Sequence, residues 1–288
     1  MKQIKTILPA PVQGHWVGDG FPVRPLFGKL AFSGEISPFL MFDYGGPMIF
    51  EATEKKRGVG PHPHRGFETV TIALQGEIEH GDSVGNRGVI GPGDVQWMTA
   101  ASGIVHEEFH SQRFAKQGGM MEMVQLWVNL PAKFKMSAPQ YQPISSSSIP
   151  VVTLPDNGGS VRVIAGEYAE VKGAATTFSP INLWDIELRE GKSVELDLRD
   201  GDTTLVFVRK GKLALGGTTV GTADVVLLTR EGNGMALKAL EDTHLMVLNG
   251  EPINEPIAAQ GPFVMNTESE LHQAIGDYQS GRMGRLGS

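Results

Sequence analysis

Short apolar runs, cut at close intervals by turn residues, constrain this chain more than any other feature. Thirty-seven glycines and eighteen prolines are scattered among stretches rich in Val, Ile, Leu and Thr. Few of those stretches are long enough to make a helix, and turn signals at this frequency mark strands and hairpins. Strand signals fall at 38–43, 69–74, 95–99 and 123–130, with a polar hairpin at 77–88 and a turn at Gly91-Pro92-Gly93-Asp94. They resume at 161–164, 182–188, 193–198, 204–208, 212–215, 223–228 and 244–248. The fold class expected is all-β.

A length of 288 residues fits two domains. Between 139 and 160 the composition shifts to Pro, Ser, Asn and Gly, with four consecutive serines at 145–148, which reads as a linker. The expected division is a first domain over 1–138, a linker over 139–160 and a second domain over 161–288. The stretch 201–215 loosely repeats 66–76, as two copies of one barrel would. One helix is expected near the end: Thr267-Glu268-Ser269-Glu270 fits a capping box, Leu271, Ile275 and Tyr278 recur at helical spacing, and Gly281 sits where a C-terminal glycine belongs.

Charge and residue usage narrow the chemistry. A net charge of −7 without a Lys/Arg cluster gives no footprint for direct nucleic-acid binding. With no cysteine, disulfides, thiolate metal sites and a Cys nucleophile are excluded, so any metal must sit on His, Asp or Glu. No apolar run approaches the ~18–20 residues that span a bilayer, and the start does not read as a signal peptide. The expected location is cytoplasmic.

Six of the eight histidines lie in the first 110 residues. In Pro61-His62-Pro63-His64 two imidazoles stand two apart on an extended chain, so both face one side. In Gly103-Ile104-Val105-His106-Glu107-Glu108 the same parity aligns His106 with Glu108 and turns Glu107 outward. Three imidazoles and a carboxylate suit a divalent transition metal such as Fe(II), Cu, Ni, Mn or Zn, with positions left open for water or substrate. Parity alone leaves a choice open, because Glu68 and His110 would share these faces if the chain stayed extended.

The segment His62-Pro63-His64-Arg65-Gly66-Phe67-Glu68-Thr69-Val70 resembles the signature of the pirin family of the cupin superfamily. So do 92–100 with 103–106, 39–43, 125–130 and Gly261-Pro262-Phe263-Val264-Met265-Asn266-Thr267. The resemblance implies two cupin-type, jelly-roll-like β-barrels with a short C-terminal helix that packs back on the first barrel. It implies a metal only in the first barrel, Fe(II) before the alternatives, held by His62, His64, His106 and Glu108, which prefers Glu108 over Glu68. It further implies a quercetin 2,3-dioxygenase-like oxygenase acting on a flavonol-like molecule and O₂, with Glu108 as the catalytic base. The family also implies a different class of role, a metal-bearing regulator acting through a protein partner.

Smaller signals complete the reading. Asp43 is either an acceptor for a ligand imidazole or the start of a turn. Arg65 is expected to pair with a carboxylate before steering an anionic substrate, and Trp97, Met98, Met123 and Trp127 to pack in the core before lining a pocket mouth. His15 and His80 are expected at the surface.

Overall fold

The computed structural model describes residues 1–286, and strands dominate them. The chain opens with β1 (Ile4–Leu8), β2 (His15–Val17), β3 (Phe21–Pro25) and β4 (Phe39–Phe50). Next come β5 (Gly58–His64), β6 (Phe67–Gln75), β7 (Ile78–Asp82), β8 (Arg87–Ile90), β9 (Val95–Thr99) and β10 (Ile104–His110). A short helix, α1 (Gln112–Gln117), precedes β11 (Gly119–Asn129), β12 (Gln140–Ile144), β13 (Val151–Leu154) and β14 (Gly159–Ala165). Then follow β15 (Glu167–Tyr168), β16 (Val171–Lys172), β17 (Ile181–Leu188), β18 (Ser193–Asp197), β19 (Thr203–Lys210) and β20 (Leu213–Leu215). The remaining elements are β21 (Thr218–Val220), β22 (Val225–Leu228), β23 (Gly234–Ala239), β24 (Thr243–Gly250), β25 (Ala258–Gln260), β26 (Phe263–Met265) and α2 (Glu268–Gln279).

Two compact units share this chain. One comprises Val12–Gly28, Phe39–Ser146 and Ile253 onward; the other comprises Met1–Pro11, Lys29–Pro38 and Ser147–Pro252. The first unit pairs a seven-stranded sheet, in the order β12-β9-β6-β11-β4-β3-β2, with a four-stranded sheet, β5-β10-β7-β8. The second repeats the plan as β1-β22-β19-β24-β17-β14-β13 and β18-β23-β20-β21. Placing β19 and β20 against β6 and β7 therefore accounts for the loose sequence repeat.

The stretch 139–160 carries strands of both units. Gln140–Ile144 pairs along β9 and Val151–Leu154 along β14, while the serines at 146–148 form a single 3-10 turn between them. Pro143 has no N–H to give a ladder, which suits β12 to the sheet edge it occupies.

In the second unit the barrel interior is a continuous apolar cluster that includes Trp184, Val194, Leu196, Met235 and Leu237. In the first, Phe21, Phe50, Ile78, Phe114 and Met123 cluster together, and Val105, Phe263, Met265, Leu271, Ala274 and Met283 form a further cluster beneath α2.

Helix α2 begins at the expected capping box, with Thr267 accepting from the Glu270 N–H at 3.3 Å and Glu270 accepting from the Thr267 N–H at 2.8 Å. Its buried face differs from the expected one. Leu271, Ala274 and Asp277 point inward, whereas Tyr278 is exposed, because Asp277 turns in to meet Arg65. No described helix is long and apolar enough to cross a membrane.

Candidate metal centre

Strands β5 and β10 are antiparallel neighbours, with His62 opposite His106 and His64 opposite Ile104. This register brings three imidazoles together. Ring centroids are 4.2 Å apart for His62 and His106, 4.9 Å for His64 and His106, and 4.9 Å for His62 and His64. One ligand nitrogen from each ring lies within 4.8 Å of the other two.

Local bonds set the direction of two of the rings. His62 Nδ1 lies 2.8 Å from the Gly60 carbonyl and His64 Nδ1 lies 3.4 Å from the Pro262 carbonyl. A carbonyl only accepts, so each ring carries its hydrogen on Nδ1 and leaves Nε2 as a free lone pair. His106 is fully buried and neither of its nitrogens has a partner.

Burial, reinforced by the neighbouring His62, pushes the pKa of His64 down to about 3. The same causes, with His64 and His80 added, hold His106 well below the ordinary value. Both are therefore neutral imidazoles, the form that ligates. Convergent lone pairs and a buried ring without partners fit a divalent transition ion.

Glu108 follows on the same face of β10, since buried residues alternate at His106, Glu108 and His110 while Glu107 is partly exposed beside Lys56. The β5 pairing shifts register between His106 and Glu108, and on the other side of β10 Glu108 stands opposite His80 of β7. Its Oε1 accepts from Gln96 Nε2 at 2.7 Å and Thr71 Oγ1 at 3.1 Å. A carboxylate oxygen of Glu108 and ligand nitrogens of His80 and His106 lie mutually within 4.8 Å.

Glu108, His62 and His64 line a cavity of about 350 Å³, within the ~300–1,000 Å³ typical of small-molecule sites. Its walls are largely apolar, with Phe21, Val23, Met41, Val59, Met123 and Trp127. Met123 is buried in the core cluster as expected and also lines the cavity, as does the partly buried Trp127, while Trp97 and Met98 are fully buried. Asp43 and His15 also reach the cavity. Burial pushes the Asp43 carboxyl up to about 6, partly opposed by His15, and Asp43 Oδ1 has no partner.

Glu68 and His110 do not join the cluster. The chain leaves β5 at His64, turns through Gly66 at a φ of 89°, and enters a different sheet, so parity counted from His64 does not carry through to Glu68. Glu68 stands opposite Thr99, whose Oγ1 donates to it at 2.7 Å. Thr71, which bonds Glu108, is three residues along β6 and so on the other face. Burial raises the Glu68 carboxyl to about 7, against hydrogen bonds from Thr99 and Trp97. His110 donates from Nε2 to the Gly20 carbonyl at 2.8 Å and packs among Phe21, Phe50 and Phe114. Arg65 pairs with the Asp277 carboxylate at 2.9 Å.

The surface assignment of His80 is corrected. It is 1% exposed, lies directly opposite Glu108, bonds Asp82 Oδ2 through Nε2 at 3.2 Å and stacks on Tyr141 with ring centroids 4.6 Å apart. The signal was period-two alternation: Ile78, His80 and Asp82 all face inward on β7. The polar composition of that hairpin hid it. Burial raises the Asp82 pKa, but hydrogen bonds from His80 and Asn86 outweigh it and hold the carboxyl below its ordinary value.

Two barrels of this plan in one chain define a bicupin, with the imidazole cluster in the first barrel. Residues 20–128 match the model of the family described as Pirin, and residues 183–284 that of the Pirin C-terminal cupin domain. The chain belongs to the pirin family. It is 56% identical over 268 residues, 93% of this chain and 94% of the other, to a Pseudomonas aeruginosa protein provisionally named as a quercetin 2,3-dioxygenase. Mouse pirin is 35% identical over 286 residues, covering 94% of this chain and 91% of its own. The crystal structure of quercetin 2,3-dioxygenase from Acinetobacter baumannii superimposes with a TM-score of 0.95 at 50% identity, covering both chains fully.

Proposed function

We propose that this chain is a metal-dependent dioxygenase that opens flavonols such as quercetin with O₂. The observation that carries the reading is Glu108, a buried carboxylate held on Oε1 by Gln96 and facing an apolar cavity that also exposes His62 and His64. The names of the similar proteins point the same way.

His62, His64, His106 and Glu108 would hold the ion, Fe(II) first among Cu, Ni, Mn and Zn. A bound divalent ion supplies Lewis acidity towards a substrate hydroxyl and redox access to O₂. The rest is the work of the chain. Gln96 fixes the Glu108 carboxylate so that its Oε2 is the oxygen free to take the flavonol hydroxyl proton, as a general base does. Phe21, Val23, Met41 and Trp127 hold the aromatic rings and exclude water. Asp43 offers an acceptor to a phenolic hydroxyl. In the overall reaction one oxygen atom of O₂ ends on C2 and one on C4 of the heterocycle, the C2–C3 and C3–C4 bonds break, and C3 leaves with its oxygen as carbon monoxide, which gives the ring-opened ester.

The test is flavonol absorbance under air with metal-loaded protein, followed together with carbon monoxide release. Loss of absorbance with stoichiometric gas supports the reading. Metal-loaded protein that leaves the flavonol intact sinks it and moves the role to a metal-bearing regulator with a protein partner.

A further inference from the structure

Among the described residues of the first unit, three imidazole nitrogens are buried without a hydrogen-bond partner: His80 Nδ1, His106 Nδ1 and His106 Nε2. Leaving such an atom unmatched costs ~1–3 kcal/mol, and native interiors rarely do so. An ion held with His62 and His64 accounts for one nitrogen of His106 and for neither of the others. Those two belong to neighbouring rings. The His80 and His106 centroids are 5.5 Å apart, and a ligand nitrogen of each lies within 4.8 Å of the other.

The surroundings of His80 decide which ring donates. Its Nε2 faces Asp82 Oδ2 at 3.2 Å, and a carboxylate only accepts. In the neutral ring Nε2 therefore carries the hydrogen and Nδ1 presents a lone pair, for which an N–H on His106, the neighbouring ring without partners, is the donor at hand. With its one hydrogen committed there, His106 can turn only a lone pair towards His62 and His64. Asp82 is itself fixed, since Oδ1 accepts from the N–H groups of Val84 at 3.1 Å and Asn86 at 2.9 Å, and Oδ2 from Asn86 Nδ2 at 2.8 Å. Stacking on Tyr141, 12° from coplanar, holds the His80 ring.

We propose that Asp82 and His80 form a hydrogen-bonded relay that sets the tautomer and aim of His106, making His80 a positioning residue for the metal centre. The His80–His106 contact closes directly or through one bridging water. The inference rests on the reading of His106 as a metal ligand. All three orphaned nitrogens are satisfied by one ring-to-ring contact and one ion, with no further group required.

Zinc(II) is the probe, measured by competition against a chelator. His80→Phe keeps a ring on Tyr141 and removes both nitrogens; zinc affinity is expected to fall about 10–100-fold, with the far-UV circular dichroism of the wild type. Asp82→Asn keeps the shape but presents an amide N–H to His80, which moves the His80 hydrogen to Nδ1 and opposes the His106 tautomer, so a similar loss is expected. Long-range ¹⁵N spectra of histidine-labelled, zinc-loaded wild type should place the His80 hydrogen on Nε2, and on Nδ1 in Asp82→Asn. If His80→Phe does not fold, Asp82→Asn and these spectra carry the test. Wild-type zinc affinity in either folded variant, or a bare His80 Nε2 in the wild type, overturns the relay. Wild-type protein that binds no zinc, or His106→Ala that binds it fully, overturns the metal-centre reading itself. Zinc lost in His106→Ala but retained in His80→Phe overturns the relay alone.

Discussion

Two glutamates separate what the sequence settles at the residue scale from what it leaves open. Counting by twos aligns His62 with His64 and His106 with Glu108 because each pair lies within one strand, where parity holds. It cannot place Glu68, because the turn at Gly66 resets the count. Two substitutions distinguish their roles. Glu108→Gln should retain little metal and oxidise no flavonol, while Glu68→Gln should keep most of its metal; equal metal loss in both would return Glu68 to the site. The Glu68 carboxyl also makes a pH prediction. Its pKa is raised to about 7 from the ordinary 4.5. Between those values the folded chain keeps a proton that the unfolded chain has released, so this group's stabilisation is complete below 4.5 and declines as pH rises through 7. At ~1.4 kcal/mol per pKa unit the effect reaches about 3 kcal/mol. Thermal melts should show Glu68→Gln losing less stability than the wild type between pH 5 and 8; parallel curves would contradict it.

At the scale of the element, the same ladder serves two purposes. In the second unit β18 pairs with β23 as β5 pairs with β10 in the first, and the facing residues are Val194 with Leu237 and Leu196 with Met235 in place of imidazoles. One scaffold fills its barrel with apolar side chains; the other arms it. The loose repeat of 66–76 at 201–215 made the shared plan legible, but the inward row on β7 was missed because a polar hairpin looks solvated. Ladder integrity can be tested without touching a ligand. A Cβ on Gly58 would collide with the Glu108 carbonyl and the Phe109 backbone, whereas one on Gly60 meets nothing within 4 Å. Gly58→Ala should lower stability by about 1–3 kcal/mol and reduce metal occupancy by prising β5 from β10. Gly60→Ala, four residues before His64, should match the wild type in both melting temperature and bound metal. Equal behaviour of the two variants would show that β5 tolerates displacement.

For the whole molecule, composition marked a boundary where the chain is in fact interwoven. Ser145–Ser148 do sit near the change of unit, but the first unit takes residues from 253 onward and the second takes Met1–Pro11, whose β1 pairs with β22. No local signal reveals such an exchange, because it is fixed by pairing across more than two hundred positions. A fragment of residues 1–138 lacks β12, the cluster under α2 and the Asp277 partner of Arg65. We expect it, and the complementary fragment 161–286, to show no cooperative melt by circular dichroism and the first to hold little metal. A sharp transition at the temperature of the full chain would refute this.

The same interweaving imposes an order on biosynthesis. A ribosome releases the histidine strands long before it makes Pro262, whose carbonyl orients His64, or Asp277, which anchors Arg65. Throughout that interval the nascent first barrel stands unfinished, its imidazoles tethered but not aimed. Any ion that His64 helps to hold would therefore be loaded late, downstream of translation through the 260s and 270s.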